Sequence, residues 1–364
     1  MGVPLDVRKT VIRLSDGRDL TYFDAADHSS RAVPDQRGLP RAQPDCELRY
    51  DPIQRTWVMY AAGRQDRSYL PSTADCPLCP SKGGRHTEIP APDYDVVVFE
   101  NRFPALSEYG AAVPDAPAGL GPARPAAGRC EVICFTSDHD ASFADLSRDR
   151  VELVTEALID RTAELTSLPG VEQVYCFENR GREIGVTQPH PHGQIYAYPF
   201  VTPRTGRSLD AARAYARRTG RNLFDDLVAA ERTDGSRLVR SGRHWLAFVP
   251  YAARWPYEVH CYPARRVPDL ASLLPAERAE LADFQLDLLG RFARLFAAPA
   301  PYVSGWHQAP ARTGRADLAL HLELFTLRRS DDKLKYLAGS ESGMDAFAND
   351  IVPEQAAARL RELS

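Results

Sequence analysis

One run of residues constrains this chain more than any other: 186–198, Val-Thr-Gln-Pro-His-Pro-His-Gly-Gln-Ile-Tyr-Ala-Tyr. Pro191 and Gly193 both oppose a helix, because proline has no amide donor and glycine costs about 1 kcal/mol relative to alanine. Ile195, Tyr196 and Tyr198 favour a strand. Alternate side chains of a strand share a face. His190, His192 and Gln194 then point one way, with Pro191, Gly193 and Ile195 behind them. Two imidazoles and an amide in a row pack poorly against a core and suit a reactive site. The plainer alternative is a polar edge strand with incidental histidines.

The 364 residues predict about two domains with ample core. Residues 8–23 read as a hairpin turning at Asp16-Gly17, and 24–46 as a loose polar linker, so the compact chain is expected to begin near Glu47. Strands are expected at Thr56–Tyr60, 94–103, 129–135, 171–177 and 190–198, with a long surface loop over 109–128. Ser147 can cap a helix over 148–166 that carries Val151, Val154, Leu158 and Leu165 on one stripe. A polar, Arg-rich helical segment follows at about 208–230, interrupted at Gly220.

The order then repeats. His244–Pro250 echoes Thr56–Tyr60, and Tyr257–Pro263 is a strand. Pro275 opens a helix to about Phe296. Tyr302–His307 and Leu318–Leu327 answer the two strands before and through the His-Pro-His run, with His321-Leu322-Glu323 standing where His190-Pro191-His192 stands. Residues 353–363 are a terminal helix. The expectation is an α+β fold: an N-terminal hairpin and linker over 1–46, a reactive half over 47–206 and a degenerate half over 207–364.

A formal charge of −4 and the absence of a basic stripe argue against nucleic acid as a partner. The amino terminus lacks the apolar core of a signal peptide, and Asp6 stands where a myristoylation signal wants Ser or Thr. No apolar run approaches the roughly 20 residues of a membrane span, so no membrane partner is expected and a cytoplasmic location is. Seven cysteines are an odd number, and Cys76-Pro-Leu-Cys79 reads as metal or redox chemistry before disulfide. Two thiolates from one turn make a common zinc half-site, which histidine would complete. Position alone does not choose among nine histidines, and a redox pair or two unrelated buried thiols remain as alternatives.

The His-Pro-His-Gly-Gln run resembles the active-site strand of the galactose-1-phosphate uridylyltransferases, members of the histidine-triad-like (HIT-like) superfamily. The likeness extends through Cys76-Pro-Leu-Cys79, Cys130-Glu-Val-Ile-Cys-Phe-Thr-Ser-Asp-His139 and Lys335-Tyr-Leu-Ala-Gly-Ser-Glu341, from about Glu47 to Leu363. It implies two tandem HIT-like modules forming one antiparallel sheet flanked by helices. It also implies one structural Zn2+ site held by Cys76, Cys79, His139 and His190, with no open position. His192 would be the nucleophile, since a neutral imidazole can attack phosphorus without losing a proton to a base. A backbone carbonyl near His190 would accept from its Nδ1–H and leave Nε2 to attack. Gln194 would donate its amide to a phosphoryl oxygen. Hydrolases of the superfamily carry a third His at that position and transferases carry Gln, so the resemblance implies transfer.

The same resemblance distributes the substrate contacts. Phe99, Asn101 and Phe103 would hold uracil and ribose. Arg64 and Arg67 would meet the phosphates, one of them reaching in from a partner subunit of a homodimer. Asn179, Gly185 and Thr187 would line the phosphates, and Lys335, Tyr336 and Glu341 the hexose. The chain departs from the pattern at Ser340, where many members have Tyr, and at Tyr336, which replaces Phe. Some members hold a second metal with a Glu and three His; the matching positions here are Ser208, His307, His321 and Glu323, one ligand being lost and one changed. The implied activity exchanges UMP between UDP-glucose and galactose 1-phosphate by a ping-pong route. The rival readings are a phosphorylase or nucleotidyltransferase of ADP-glucose or another nucleotide sugar, and a nucleotide-binding or zinc-stabilised interaction protein without turnover.

Overall fold

A computed structural model describes residues 6–25, 31–41, 44–66, 70–108, 113 and 119–364. The strands are β1 (Arg8–Arg13), β2 (Asp19–Asp24), β3 (Cys46–Asp51), β4 (Thr56–Ala61), β5 (Val96–Glu100), β6 (Ala123–Pro125), β7 (Arg129–Cys134), β8 (Gln173–Arg180) and β9 (His192–Tyr198) in the first half. In the second they are β10 (Leu238–Ser241), β11 (Trp245–Phe248), β12 (Val259–Pro263), β13 (Tyr302–His307), β14 (His321–Thr326), β15 (Arg328–Ser330) and β16 (Lys333–Leu334). Eleven form one antiparallel sheet in the order β1-β2-β5-β7-β9-β8-β13-β14-β12-β11-β10. A small sheet, β4-β3-β6, and the ribbon β15-β16 stand apart from it.

Strand alternation gives the main sheet two distinct faces. Val98, Ile133, Ile195, Cys176, Trp306, Leu322 and Cys261 turn to one of them, where helices α1 (Arg148–Ser167) and α4 (Pro275–Ala293) cover it. The expected stripe of α1 is the one it buries, and full burial of each such side chain is worth about 1.5–3 kcal/mol. The Ser147 side chain accepts from the Arg150 amide at 3.2 Å, a cap worth about 1 kcal/mol. A single apolar cluster runs beneath both halves.

The opposite face carries the chemistry. Strand register places Phe99, Val132, Gln194, Phe177, Gly305, Glu323, His260 and Phe248 in one transverse row. Helices α2 (Pro203–Thr219) and α3 (Leu223–Asp234) lie on this side of the second half, with Phe224 and Val228 packed on Leu246, Phe248 and Tyr262. The remaining helices are α5 (Gly339–Met344) and α6 (Pro353–Glu362).

Three sequence expectations change. The hairpin of β1 and β2 forms as expected, but β2 pairs with β5 and belongs to the main sheet, so the compact chain does not wait for Glu47. The described part of the following segment is tied down by charge: buried Arg31 pairs with Asp24 at 2.6 Å, and Arg37 with Asp35 at 2.8 Å and Glu88 at 2.6 Å. A polar composition reads as solvated only while its partners are unknown.

The other two changes concern the repeat. The row is symmetric about the pair Phe177 and Gly305: Gln194 and Glu323 flank it, then Val132 and His260, then Phe99 and Phe248. Trp245–Phe248 therefore answers β5, not Thr56–Tyr60, which lies in the small sheet. His321-Leu322-Glu323 answers His192-Gly193-Gln194, not His190-Pro191-His192. Both imidazoles head their strands, and both use Nδ1 on the carbonyl two residues back, His192 on His190 at 2.8 Å and His321 on Ala319 at 3.0 Å. A slip of two residues preserves the face of every side chain, so the alternation pattern does not reveal it.

Candidate active site

Cys76, Cys79, His139 and His190 come together from three separated points of the chain, their ligand atoms all within 4.8 Å of one another. Cys79 Sγ lies 3.3 Å from His139 Nδ1 and 3.6 Å from His190 Nδ1. A tetrahedral ion bound by thiolate at about 2.3 Å and imidazole at about 2.05 Å requires a sulfur–nitrogen separation of roughly 3.5 Å. The donor set fits a divalent cation. Burial pushes the Cys76 thiol up to about 11 and the His190 imidazole down to about 4, so both are neutral near pH 7 unless a cation is present to hold the thiolate. The far side of His190 is also fixed. Its Nε2 lies 2.9 Å from the Thr136 carbonyl and 2.8 Å from the Tyr94 hydroxyl, which itself donates to the Leu78 carbonyl at 3.0 Å.

His192 sits one pleat beyond. Its Nδ1–H donates to the His190 carbonyl, which sets the tautomer and leaves an Nε2 lone pair. Burial lowers its pKa, and the bond to His190 offsets part of that. Gly193 is what lets β9 lie so close to its neighbours: a Cβ there would stand 2.9 Å from the Phe177 carbonyl and 3.0 Å from the Phe135 ring.

Two cavities meet at His192. The smaller, about 170 Å³, is lined by Glu88, Phe99, Asn101, Phe103, Thr187, His192 and Gln194. The larger, about 640 Å³, is lined by Asn179, Arg180, Arg182, His139, His190 and His192. The expected base-side residues thus share one pocket with Gln194, and Asn179 lies on the other. Arg64 reaches the same sheet face beyond Gln194, donating to the Tyr196 hydroxyl at 3.3 Å. A neutral imidazole with a free lone pair, an amide beside it and a pocket on either hand suit displacement at a phosphorus that carries a group in each pocket.

Profiles of the galactose-1-phosphate uridyl transferase N-terminal and C-terminal domains match residues 35–202 and 208–364. The chain belongs to the galactose-1-phosphate uridyl transferase family. It is 48% identical to the galactose-1-phosphate uridylyltransferase of Streptomyces lividans over 98% of each chain. Identity to the Thermotoga maritima enzyme of the same name is 37%, over 87% of this chain and 98% of that one. A solved uridylyltransferase structure superposes with a TM-score of 0.77 at 31% identity, covering 87% of this chain and 98% of that one. An ADP-glucose phosphorylase from Arabidopsis thaliana shares the fold, with a TM-score of 0.66 at 21% identity. The fold is therefore the α+β sheet architecture expected, in an enzyme family.

Other expected positions of this uridyl transferase family member stand differently. Arg67 lies outside the described residues. Gly185 closes a short turn at φ 79°, its amide donating to the Arg182 carbonyl rather than pointing at an anion. Lys335 and Glu341 pair with each other at 2.8 Å, Lys335 also meets the Ala348 carbonyl, and Lys335 holds the Glu341 carboxyl down to about 2. Neither they nor Tyr336, which is 69% exposed, line the cavities at His192. Ser208 turns its hydroxyl to the Arg204 carbonyl, so it does not join His307, His321 and Glu323, which do cluster.

Sequence reasoning passed over several residues that shape the site. Arg18 is buried against Asp16 at 2.7 Å and Glu88 at 2.5 Å, and donates to the Glu100 carbonyl at 2.7 Å. It links the hairpin turn to the strand end that presents Asn101. Glu178, beside Asn179, has its carboxyl pushed up to about 7 by burial, against the pull of Tyr302 and Arg180. No local pattern marks either, because each also depends on a partner far away in the chain, Glu88 for Arg18 and Tyr302 for Glu178.

Proposed function

We propose that the chain transfers a uridylyl group between UDP-glucose and galactose 1-phosphate through a covalent uridylyl-His192. The observation that carries this reading is the placement of His192 at the meeting of the two cavities, with Nδ1 committed to His190 and Nε2 free beside Gln194. The uridine occupies the smaller cavity, between Phe99, Phe103 and Asn101. Nε2 of His192 attacks the α-phosphorus, the P–O bond to the β-phosphate breaks, and glucose 1-phosphate departs with the electron pair. Galactose 1-phosphate then enters the larger cavity, where Asn179, Arg180 and Arg182 face its phosphate. A phosphate oxygen attacks the same phosphorus, the N–P bond breaks, and neutral His192 returns as UDP-galactose leaves. Gln194 stabilises the charge on the phosphoryl oxygens in both steps.

In this reading Cys76, Cys79, His139 and His190 hold a zinc ion, chosen by two thiolates and two imidazoles at tetrahedral spacing. Bound zinc would be structural, fixing the strand whose carbonyl orients His192. The working unit is a homodimer. The turn of Lys335, Tyr336 and Glu341 stands clear of its own chain's pocket, and Tyr336, Leu337 and Met344 are exposed together near it, as a turn serving the partner's pocket would be. The chain divides just before α2, a few residues ahead of the 206–207 boundary expected, into a reactive and a supporting half. None of the seven cysteines forms a disulfide, in keeping with a reducing, cytoplasmic setting, and among the described residues no helix is long and apolar enough to cross a membrane.

Intact-mass analysis after brief incubation with UDP-glucose, and separately with ADP-glucose, tests the reading. The expected result is a uridylyl adduct on His192 that galactose 1-phosphate discharges. An adenylyl adduct in its place would move the substrate to ADP-glucose, and no adduct from either would remove the transfer chemistry.

A further inference from the structure

The second half carries its own polar cluster on the same face of the sheet. Glu323 stands in the transverse row where Gln194 stands in the first half, and His321 answers His192. His307, His321 and Glu323 bring metal-competent atoms within 4.8 Å of one another, and so do Glu258, His260 and Glu323. By donor type and spacing alone, either trio would bind a divalent cation.

The neighbours of Glu323 oppose that. Arg204, in the first turn of α2, makes a two-pronged contact with its carboxylate, Nη1 on Oε1 at 3.0 Å and Nη2 on Oε2 at 2.5 Å. His260 Nε2 and His307 Nε2 each lie 3.4 Å from Oε2. Both oxygens that a metal would use are therefore occupied by a fixed cation. Arg204 lies on the solvent side, 44% exposed where Glu323 is 3% exposed. Glu258 is committed too: one oxygen takes His260 Nε2 at 2.8 Å, and the other accepts from the Arg254 and Trp255 amides at 2.7 and 3.0 Å. The His321 ring is stacked between Tyr262 at 4.6 Å and His307 at 4.8 Å. Arginine cannot shed its charge to admit an ion.

We infer that the guanidinium of Arg204 takes the place of a cation in this second cluster, so that the C-terminal half is held by an internal ion-pair network and binds no metal. The inference is independent of the transfer chemistry at His192.

The test is metal content of the full chain by mass spectrometry after loading with excess Zn2+ or Co2+ and desalting. The wild type is expected to hold about one ion per chain, lost in C76S/C79S. R204M removes the guanidinium and is expected to hold about two, the second lost on adding H321A and giving, as Co2+, a spectrum without thiolate charge transfer. Two ions in the wild type, or one in C76S/C79S that H321A abolishes, would overturn the inference. One ion in a folded R204M would overturn it as well, because the guanidinium would then not be what excludes the metal. If R204M fails to fold, the wild-type and C76S/C79S counts still decide whether the cluster takes a metal.

Discussion

Nδ1 of His192 donates to the backbone carbonyl of His190 at 2.8 Å, while the His190 ring turns its own Nδ1 toward Cys79 at 3.6 Å. One residue thus joins the Cys-His cluster and the attacking imidazole: its side chain belongs to the first, and its carbonyl orients the second. Pro191 between them removes an amide and restricts the backbone of His190 to extended angles, which keeps that carbonyl aimed.

Removing the imidazole should abolish transfer. H192N is expected to lower the exchange rate by at least about 10⁴-fold, the order seen when a nucleophile is deleted, with no uridylyl adduct by mass and an unchanged thermal midpoint. Near-normal turnover in this variant would refute the assignment of the nucleophile.

Gln194 acts on charge that develops in the transition state, so its loss should fall on the rate of the chemical step. Q194A is expected to lower kcat by roughly 10²–10³-fold while KM changes little. Stopped-flow formation of the adduct would check this; a variant with a raised KM and normal kcat would place Gln194 in ground-state binding only.

Stripping metal from Cys76, Cys79, His139 and His190 should loosen the strand that carries His192. C76S is expected to hold no ion at that site and to lower the thermal midpoint by several degrees, as a loss of roughly 2 kcal/mol or more would in a chain of this size. An equally stable and active C76S enzyme would remove the structural role of the ion.

Arg18 is 3% exposed and bridges Asp16 and Glu88. R18M leaves buried Asp16 without its guanidinium and Glu88 to Arg37, and is expected to cost roughly 3–5 kcal/mol in urea unfolding. R18M/E88Q should recover part of that. KM for the nucleotide sugar should rise in R18M, because the Glu100 carbonyl that Arg18 holds precedes Asn101.

The second cluster should make stability depend on alkaline pH. Burial lowers the His260 pKa, but hydrogen bonds and charge from Glu258 and Glu323 outweigh it and raise the value from 6.5 to about 9. A histidine whose pKa rises on folding contributes its full stabilisation below about 6.5 and loses it as pH climbs through about 9. The groups facing it are Glu258, Glu323, His321 and, across Glu323, Arg204. Stability should fall over that window by at most roughly 3 kcal/mol, and H260Q should flatten the slope. An identical pH profile in H260Q would show that the histidine is neutral in the folded chain.

What the sequence determined by itself was local. Pro191, Gly193 and the β-favouring residues after them dictate a strand with His190, His192 and Gln194 on one face. The apolar stripe behind Ser147 dictates a helix, which appears where the periodicity places it, while the strand begins at His192, two residues after its expected start. Residue type and spacing also sufficed, through the family resemblance, to select the Cys-His quartet that the fold assembles. Tertiary structure alone decided the rest. It put the hairpin of β1 and β2 in the main sheet, turned Lys335 onto Glu341, and set Glu323 rather than Phe325 opposite Gln194 across the central pair of strands. It also brought Arg204 to Glu323 across 119 residues of chain. The reason is physical. A strand repeats every two residues, so its pattern does not distinguish registers that differ by two, and a charge read without its partner looks solvated whether or not the fold will bury it.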